Sequence, residues 1–314
     1  MEANANAVFC LCSHLCVGEG VVPLEPKEYS ALAQKLLSLG KEPADLFELS
    51  REELSALTDG DDAFAERLSR LIDRSAALCF ELERLEGMGI GVVTRADADY
   101  PAALKKKLSA LSPPLFYYAG ELSLARRRTI GFVGSRTVEQ SDLDFTKNAV
   151  DAVVSLSFGV VSGGAKGVDT IAGTEALLRG GFSIEYLCDS MLRKMRSSDT
   201  VKRLRDGSLL LLSVVKPDAG FNTGVAMMRN RYIYAQSEAT VVVRSDLGKG
   251  GTWAGAVDNL KHVQCPTLCR DCSCPGNRAL IERGAIPIGE HWDGNIPSPA
   301  AKEEEPAGQY SLFE

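Results

Sequence analysis

The chain has 314 residues, long enough for one large domain with a smaller one beside it. Its hydrophobic fraction of 45% and charged fraction of 25% are those of an ordinary globular protein, and no apolar run reaches the roughly 18 residues that a membrane helix needs. The net charge of −7 excludes a protein that coats duplex DNA with its whole surface, yet leaves room for a local basic groove. Nine cysteines, an odd number, do not suggest a disulfide scaffold in a chain of this length. The opening "MEANANAVFCLCSHLC" has no basic segment before its apolar stretch, so the expectation is a cytoplasmic protein without a secretion signal.

From Leu24 to Gly89 the chain reads as helical. "EPKEYSALAQKLLSLG" begins with proline and acids and closes on Gly40, the start and stop chemistry of a helix. Ser50, with Glu53 three residues later, forms a capping box. Between Asp62 and Leu85, residues Phe64, Leu68, Leu71, Ile72, Leu78, Leu82 and Leu85 recur at helical spacing. Residues 1–89 are therefore expected to form a small N-terminal helical module. Residues 90–122 read as a bridge: a short strand at "GIGVV", a helix after "DADYP", and a strand in "PPLFYYAG".

The pattern then changes. Short apolar runs at 129–133, 159–162, 182–187, 209–213 and 239–243 alternate with helix-length connections. Strands apolar on both faces and separated by helices predict a doubly wound, mostly parallel α/β sheet of Rossmann-like type over residues 123–290. Residues 291–314, rich in proline, alanine and glutamate, read as a disordered tail.

In such a sheet, ligands bind beyond the carboxyl ends of the strands. Four polar or glycine-rich stretches follow predicted strands: Gly134-Ser135-Arg136, "SGGAKGVD" from Ser162 to Asp169, Arg229-Asn230-Arg231, and "GKGGT" from Gly248 to Thr252. Glycines let backbone amides approach phosphate oxygens, and Arg136, Lys166, Arg229, Arg231 and Lys249 would add full positive charges. An arginine in the first turn suits a phosphodiester chain, whereas a dinucleotide cofactor needs the G-x-G-x-x-G spacing that "GSRTVE" lacks. No cofactor is expected. Glu185 stands where a ribose-binding acid would follow the second loop, but in mid-strand.

"IGFVGSR", "VVSGGAKGVDTIAGTEAL", "AMMRNRYIYAQSEATVVV" and "GKGGTWAGA" resemble, in order, the motifs of the DNA-processing protein A family, also called DprA or Smf. "DADYPAALKKKLSALSPPLFYYAGEL" is similar to that family's lead-in, so the resemblance covers about residues 90–288. It implies a Rossmann-like protein without catalytic chemistry that binds single-stranded DNA, assists natural transformation by loading the RecA recombinase, and forms homodimers. The family's "GSR" falls on Gly134, Ser135 and Arg136. Its "SGxARGID" falls on Ser162, Gly163, Ala165, Lys166, Gly167 and Asp169, with Gly164 between, and its "RNR" on Arg229, Asn230 and Arg231. Lys249, Gly250, Gly251 and Thr252 complete the implied phosphate-binding set. Lys166 stands where arginine is usual, and "FNTGVAMMRNR" replaces "FPxRNR", marking a divergent branch in which no C-terminal winged helix is expected after Glu290.

The wider superfamily includes phosphoribohydrolases, which suggests the alternative of a nucleotide-binding or nucleotide-cleaving protein. Their P-G-G-x-G-T-x-x-E motif ends on a catalytic glutamate, and Gly255 occupies that position here; Asp169 or Asp189 would have to act instead. A second basic stretch, with Arg193, Lys194, Arg196, Lys202, Arg203 and Arg205, is either a solvated helix pair or an extension of a DNA track. Tyr232 and Tyr234 fit core packing better than base stacking. Cys265, Cys269, Cys272 and Cys274 lie too close in sequence for the usual zinc knuckles, so reduced thiols are the default over a metal site. Finally, "QYSLF" resembles a bacterial sliding-clamp-binding pentapeptide, with Gln309, Leu312 and Phe313 as its contacts.

Overall fold

The computed structural model describes residues 1–296. Five helices open it: α1 (Ala3–Cys12), α2 (Pro26–Ser38), α3 (Arg51–Leu57), α4 (Asp62–Ile72) and α5 (Ser75–Glu86). The capping box at α3 forms as the sequence predicts, with Ser50 Oγ accepting from the Glu53 amide and Glu53 Oε2 accepting from the Ser50 amide. The stretch with helical spacing from 62 to 85 forms two helices, divided at Asp73–Arg74. There Arg74, buried, reaches back to the C-terminal end of α1 and donates to the carbonyls of Cys10, Ser13 and Leu15. A helix end leaves such carbonyls without partners, and the guanidinium supplies them.

The remainder alternates strand and helix. β1 (Gly91–Thr94), α6 (Ala102–Leu108) and β2 (Leu115–Gly120) come first. Next are β3 (Thr129–Val133), α7 (Gln140–Ser155), β4 (Gly159–Ser162), α8 (Val168–Leu178) and β5 (Ser183–Leu187). Short α9 (Met191–Lys194) and α10 (Ser198–Arg205) lead to β6 (Leu209–Ser213), then α11 (Thr223–Gln236) and β7 (Ala239–Val242). The last elements are α12 (Gly250–His262), β8 (Thr267–Arg270), α13 (Pro275–Glu282) and β9 (Ile286–Ile288).

The nine strands among the described residues share one sheet in the order β1-β2-β6-β5-β4-β3-β7-β8-β9. The pairs from β6 across to β9 are parallel, whereas β1–β2 and β2–β6 are antiparallel. The segment read as a bridge thus adds two antiparallel strands to one flank of the sheet.

On one face, α7 and α8 cover Ile130, Phe132, Val160 and Val241. The N-terminal helices continue that layer over Leu115, Tyr117, Leu209 and Leu211. On the opposite face, α6, α11, α12 and α13 cover Phe116, Ile184, Tyr186 and Leu212. Tyr232 sits there edge-on to Phe116, so it and buried Tyr234 belong to the core. The chain runs outward from β3 to β6, then returns to place β7 on the other side of β3. This reversal is the crevice where an open α/β sheet takes its ligand.

Replacing Arg74 by methionine keeps the apolar stem but orphans three buried carbonyls. The expected result is a stability loss of about 3 kcal/mol, read as a lower urea midpoint with an unchanged slope.

Candidate functional site

The loops predicted to matter all meet at this crevice. Gly134-Ser135-Arg136 leaves β3, and the Ser135 amide donates to the Arg244 carbonyl just past β7. The second loop presses against it. Gly167 has φ +85°, and a β-carbon there would lie 2.2 Å from the Ser135 carbonyl oxygen and 2.7 Å from the Arg136 Cα. Only glycine tolerates both the left-handed backbone and that approach. Gly134 has the same relation to Val168, whose Cγ2 would stand 2.4 Å from an added β-carbon. Thr252, in the first turn of α12, donates to the Gly134 carbonyl at 2.9 Å. Asn230 of α11 donates to the Gly251 carbonyl at 2.9 Å. Four segments far apart in sequence are stitched into one rim.

The charges on that rim divide into two groups. Arg136, Lys166 and Lys249 are exposed and form no ion pair among the described residues. The Arg136 guanidinium lies 5.5 Å from the ring centre of Phe221, which is exposed. Arg231, in contrast, is held by both carboxylate oxygens of Asp258, at 2.9 and 3.1 Å. Arg229 is buried beside Asp169, 3.7 Å away, and its Nη1 occupies the space that a β-carbon on Gly163 would fill. The Arg-Asn-Arg motif therefore braces the rim from within.

Asp169 is likewise internal. Burial pushes its carboxyl above the usual range, against the opposing pull of the Arg229 charge and of hydrogen bonds from the Gly163 and Ala165 amides. The Gly163 amide donates to Asp169 Oδ2 at 3.0 Å and the Gly164 amide to Ser162 Oγ at 3.3 Å. These two amides shape the loop instead of facing outward, which the sequence does not reveal. What faces solvent is the Lys166 side chain at the start of α8.

Glu185 lies in mid-strand as the sequence places it, buried under Gly164 and paired with Lys194 at 2.7 Å. That pairing removes Lys194 from the second basic stretch. Arg193 is engaged by Asp189, and Arg203 faces Asp199 at 3.7 Å; Arg196, Lys202 and Arg205 remain exposed. Cys265 precedes β8 and bonds Thr240, Cys269 lies within the strand, and Cys272 and Cys274 follow it. Among the described residues, no group of three or more His, Cys, Asp or Glu is placed to hold a metal ion. Gln309, Leu312 and Phe313 lie outside the described residues. No helix among the described residues is long and apolar enough to cross a membrane.

The family model for DNA recombination-mediator protein A matches residues 91–293, well over half of the chain. The chain belongs to the DNA recombination-mediator protein A family. Among solved structures, the DNA processing protein A of Streptococcus pneumoniae aligns with a TM-score of 0.63 at 20% identity, covering 87% of this chain and 97% of that one. The Helicobacter pylori DNA processing protein A, a structure described by its single-stranded DNA binding mode, aligns with a TM-score of 0.51 at 23% identity, covering 64% and 90%. Both show that this DprA-family chain shares their fold. No curated protein matches it.

The close approach of Arg229 to Gly163 gives a direct test of how the rim is braced. Gly163→Ala would force the guanidinium from its site and cost about 2 kcal/mol or more, seen as a lower midpoint in chemical denaturation. An unchanged midpoint would show that Arg229 does not occupy that space.

Proposed function

We propose that this protein binds single-stranded DNA along the rim at the β3–β7 crevice, as a DNA-processing protein without catalytic chemistry. One observation carries the reading: three exposed cations, Arg136, Lys166 and Lys249, project without acidic partners from loops that the fold draws together. A phosphodiester backbone repeats its charge along a strand and is matched by several separated cations more readily than by one deep anion hole. The N-termini of α8 and α12 open onto the same rim and favour negative charge. The Helicobacter relative's description as a single-stranded DNA binder supports the same ligand. Gly134, Ser135, Ser162, Gly163, Gly164, Gly167, Asp169, Arg229, Asn230, Arg231, Gly250, Gly251 and Thr252 then act by holding the rim's shape or lining it. Recombinase loading, pairing with a second copy, a sliding-clamp contact through the C-terminal segment and a cytoplasmic location belong to this reading as further expectations.

The competing nucleotide-cleaving reading needs an acid or base at the ribose. Gly255 stands at the phosphoribohydrolase glutamate position, Asp169 is buried against Arg229, and Asp189 is engaged by Arg193. None of these is a free carboxylate at the rim, which favours binding over hydrolysis.

Fluorescence anisotropy with a labelled oligonucleotide tests the assignment. Arg136→Ala together with Lys166→Ala should weaken binding and lower the slope of log affinity against log salt by about 1.4, near 0.7 per lost phosphate contact. Unchanged affinity and slope would refute the DNA reading. Release of free base from nucleoside monophosphates by the native protein, abolished by the same pair of substitutions, would establish the enzyme instead.

A further inference from the structure

Four thiols fall between residues 265 and 274, and the fold sorts them into two pairs. Cys265 and Cys269 are buried, the second within β8, whereas Cys272 and Cys274 are half-buried in the turn that follows the strand. The chain bends at Cys272 and Ser273. The bend brings the Cys274 amide to the Cys272 sulfur, to which it donates. Two Cα atoms separated by one residue in a bend lie about 5 to 6.5 Å apart, inside the span that a disulfide bridges.

The same turn is pressed against the end of β7. Cys274 Sγ donates to the Ser245 carbonyl at 3.0 Å. A β-carbon on Gly276 would lie 1.9 Å from that oxygen, so the first turn of α13 has no slack against it. Asn277, fully buried, fixes the register. It accepts from the Ser245 amide at 2.8 Å and donates to the carbonyls of Val243 and Arg270 at 3.0 and 2.9 Å. One residue before Ser245, the Arg244 carbonyl accepts from the Ser135 amide of the arginine-bearing loop at 3.0 Å. A shift of the cysteine turn therefore passes through Ser245 and Arg244 to the base of Arg136.

We propose that Cys272 and Cys274 are a site of reversible oxidation, closing a disulfide within the turn that loosens the rim's first loop. The oxidant is a low-molecular-weight disulfide. Cys272 gives up its proton to solvent, and its thiolate attacks one sulfur of the oxidant, releasing the other as a small thiol. The Cys274 thiolate then attacks the Cys272 sulfur, forming the protein disulfide and releasing a second small thiol. Two protein thiols are oxidised and one small disulfide is reduced. Burial holds the Cys272 thiol above its ordinary pKa, so the protonated pair is the resting state. In the product, Cys274 has no proton left for the Ser245 carbonyl. So small a ring is strained, which makes it easily reduced again. The effect on DNA rests on the single-stranded DNA reading above; the disulfide itself does not.

The full chain is treated with oxidised glutathione and digested with trypsin. Residues 271–278 fall in one tryptic peptide whose only cysteines are Cys272 and Cys274. That peptide should be lighter by two hydrogens and should regain them in dithiothreitol. Oxidised protein should bind a labelled oligonucleotide about fivefold more weakly than reduced protein, the effect of one hydrogen bond lost beneath the loop. Cys274→Ser keeps a hydroxyl donor for the Ser245 carbonyl and should bind like the reduced native protein with or without oxidant. Cys272→Ser should be equally insensitive. An unmodified peptide, or a glutathione adduct in place of the internal bond, would overturn the proposal. An internal bond that leaves affinity unchanged would overturn it too, as would an equal loss of affinity in oxidant-treated Cys274→Ser; the DNA reading survives both. If the reduced protein binds no DNA, that reading fails. The disulfide is then judged by the peptide mass and by a lower denaturation midpoint of the oxidised protein.

Discussion

The site depends on how closely two loops approach. The Ser135 carbonyl and the Arg136 backbone lie where a side chain on residue 167 would begin, so the first and second loops touch only because Gly167 has none. Gly163 makes a second such concession, to the Arg229 guanidinium. Through these contacts Arg136 and Lys166 come to one rim, and α12 joins it through Thr252 and Asn230. A methyl group at either glycine would collide with the neighbouring loop or guanidinium and force them apart.

Burial then decides which charges are available to a ligand. Arg229 and Asp169, taken out of water together, are kept near one another by mutual need, since an unpaired charge in that setting is costly. Their pairing leaves little net field outside. Exposed cations without partners behave in the opposite way: each keeps its charge toward solvent and adds to a local positive potential despite an overall charge of −7. The rim is thus a small basic surface on an acidic protein.

Much of the sheet was legible because buried parallel strands carry unbroken apolar runs, as β3, β4, β6 and β7 do. β8 and β9 escaped such reading: "TLCR" and "IPI" are short and mix polar or proline residues among the apolar ones. The loops were legible as well, since glycine and cation spacing survives in one dimension. The direction of each side chain was not. Arg229 and Arg231 look the same as Arg136 in sequence, and only the fold reveals that Asp169 and Asp258 stand beside them.

The shared layer at the antiparallel flank sets how the chain divides. Leu115, Tyr117, Leu209 and Leu211 on the sheet lie in one cluster with Leu11, Leu36, Leu68 and Leu78 from the helices. The family match begins at residue 91, yet a polypeptide cut at that boundary would uncover this oily flank and become prone to self-association. The helices before residue 91 and the antiparallel flank of the sheet therefore share one apolar core.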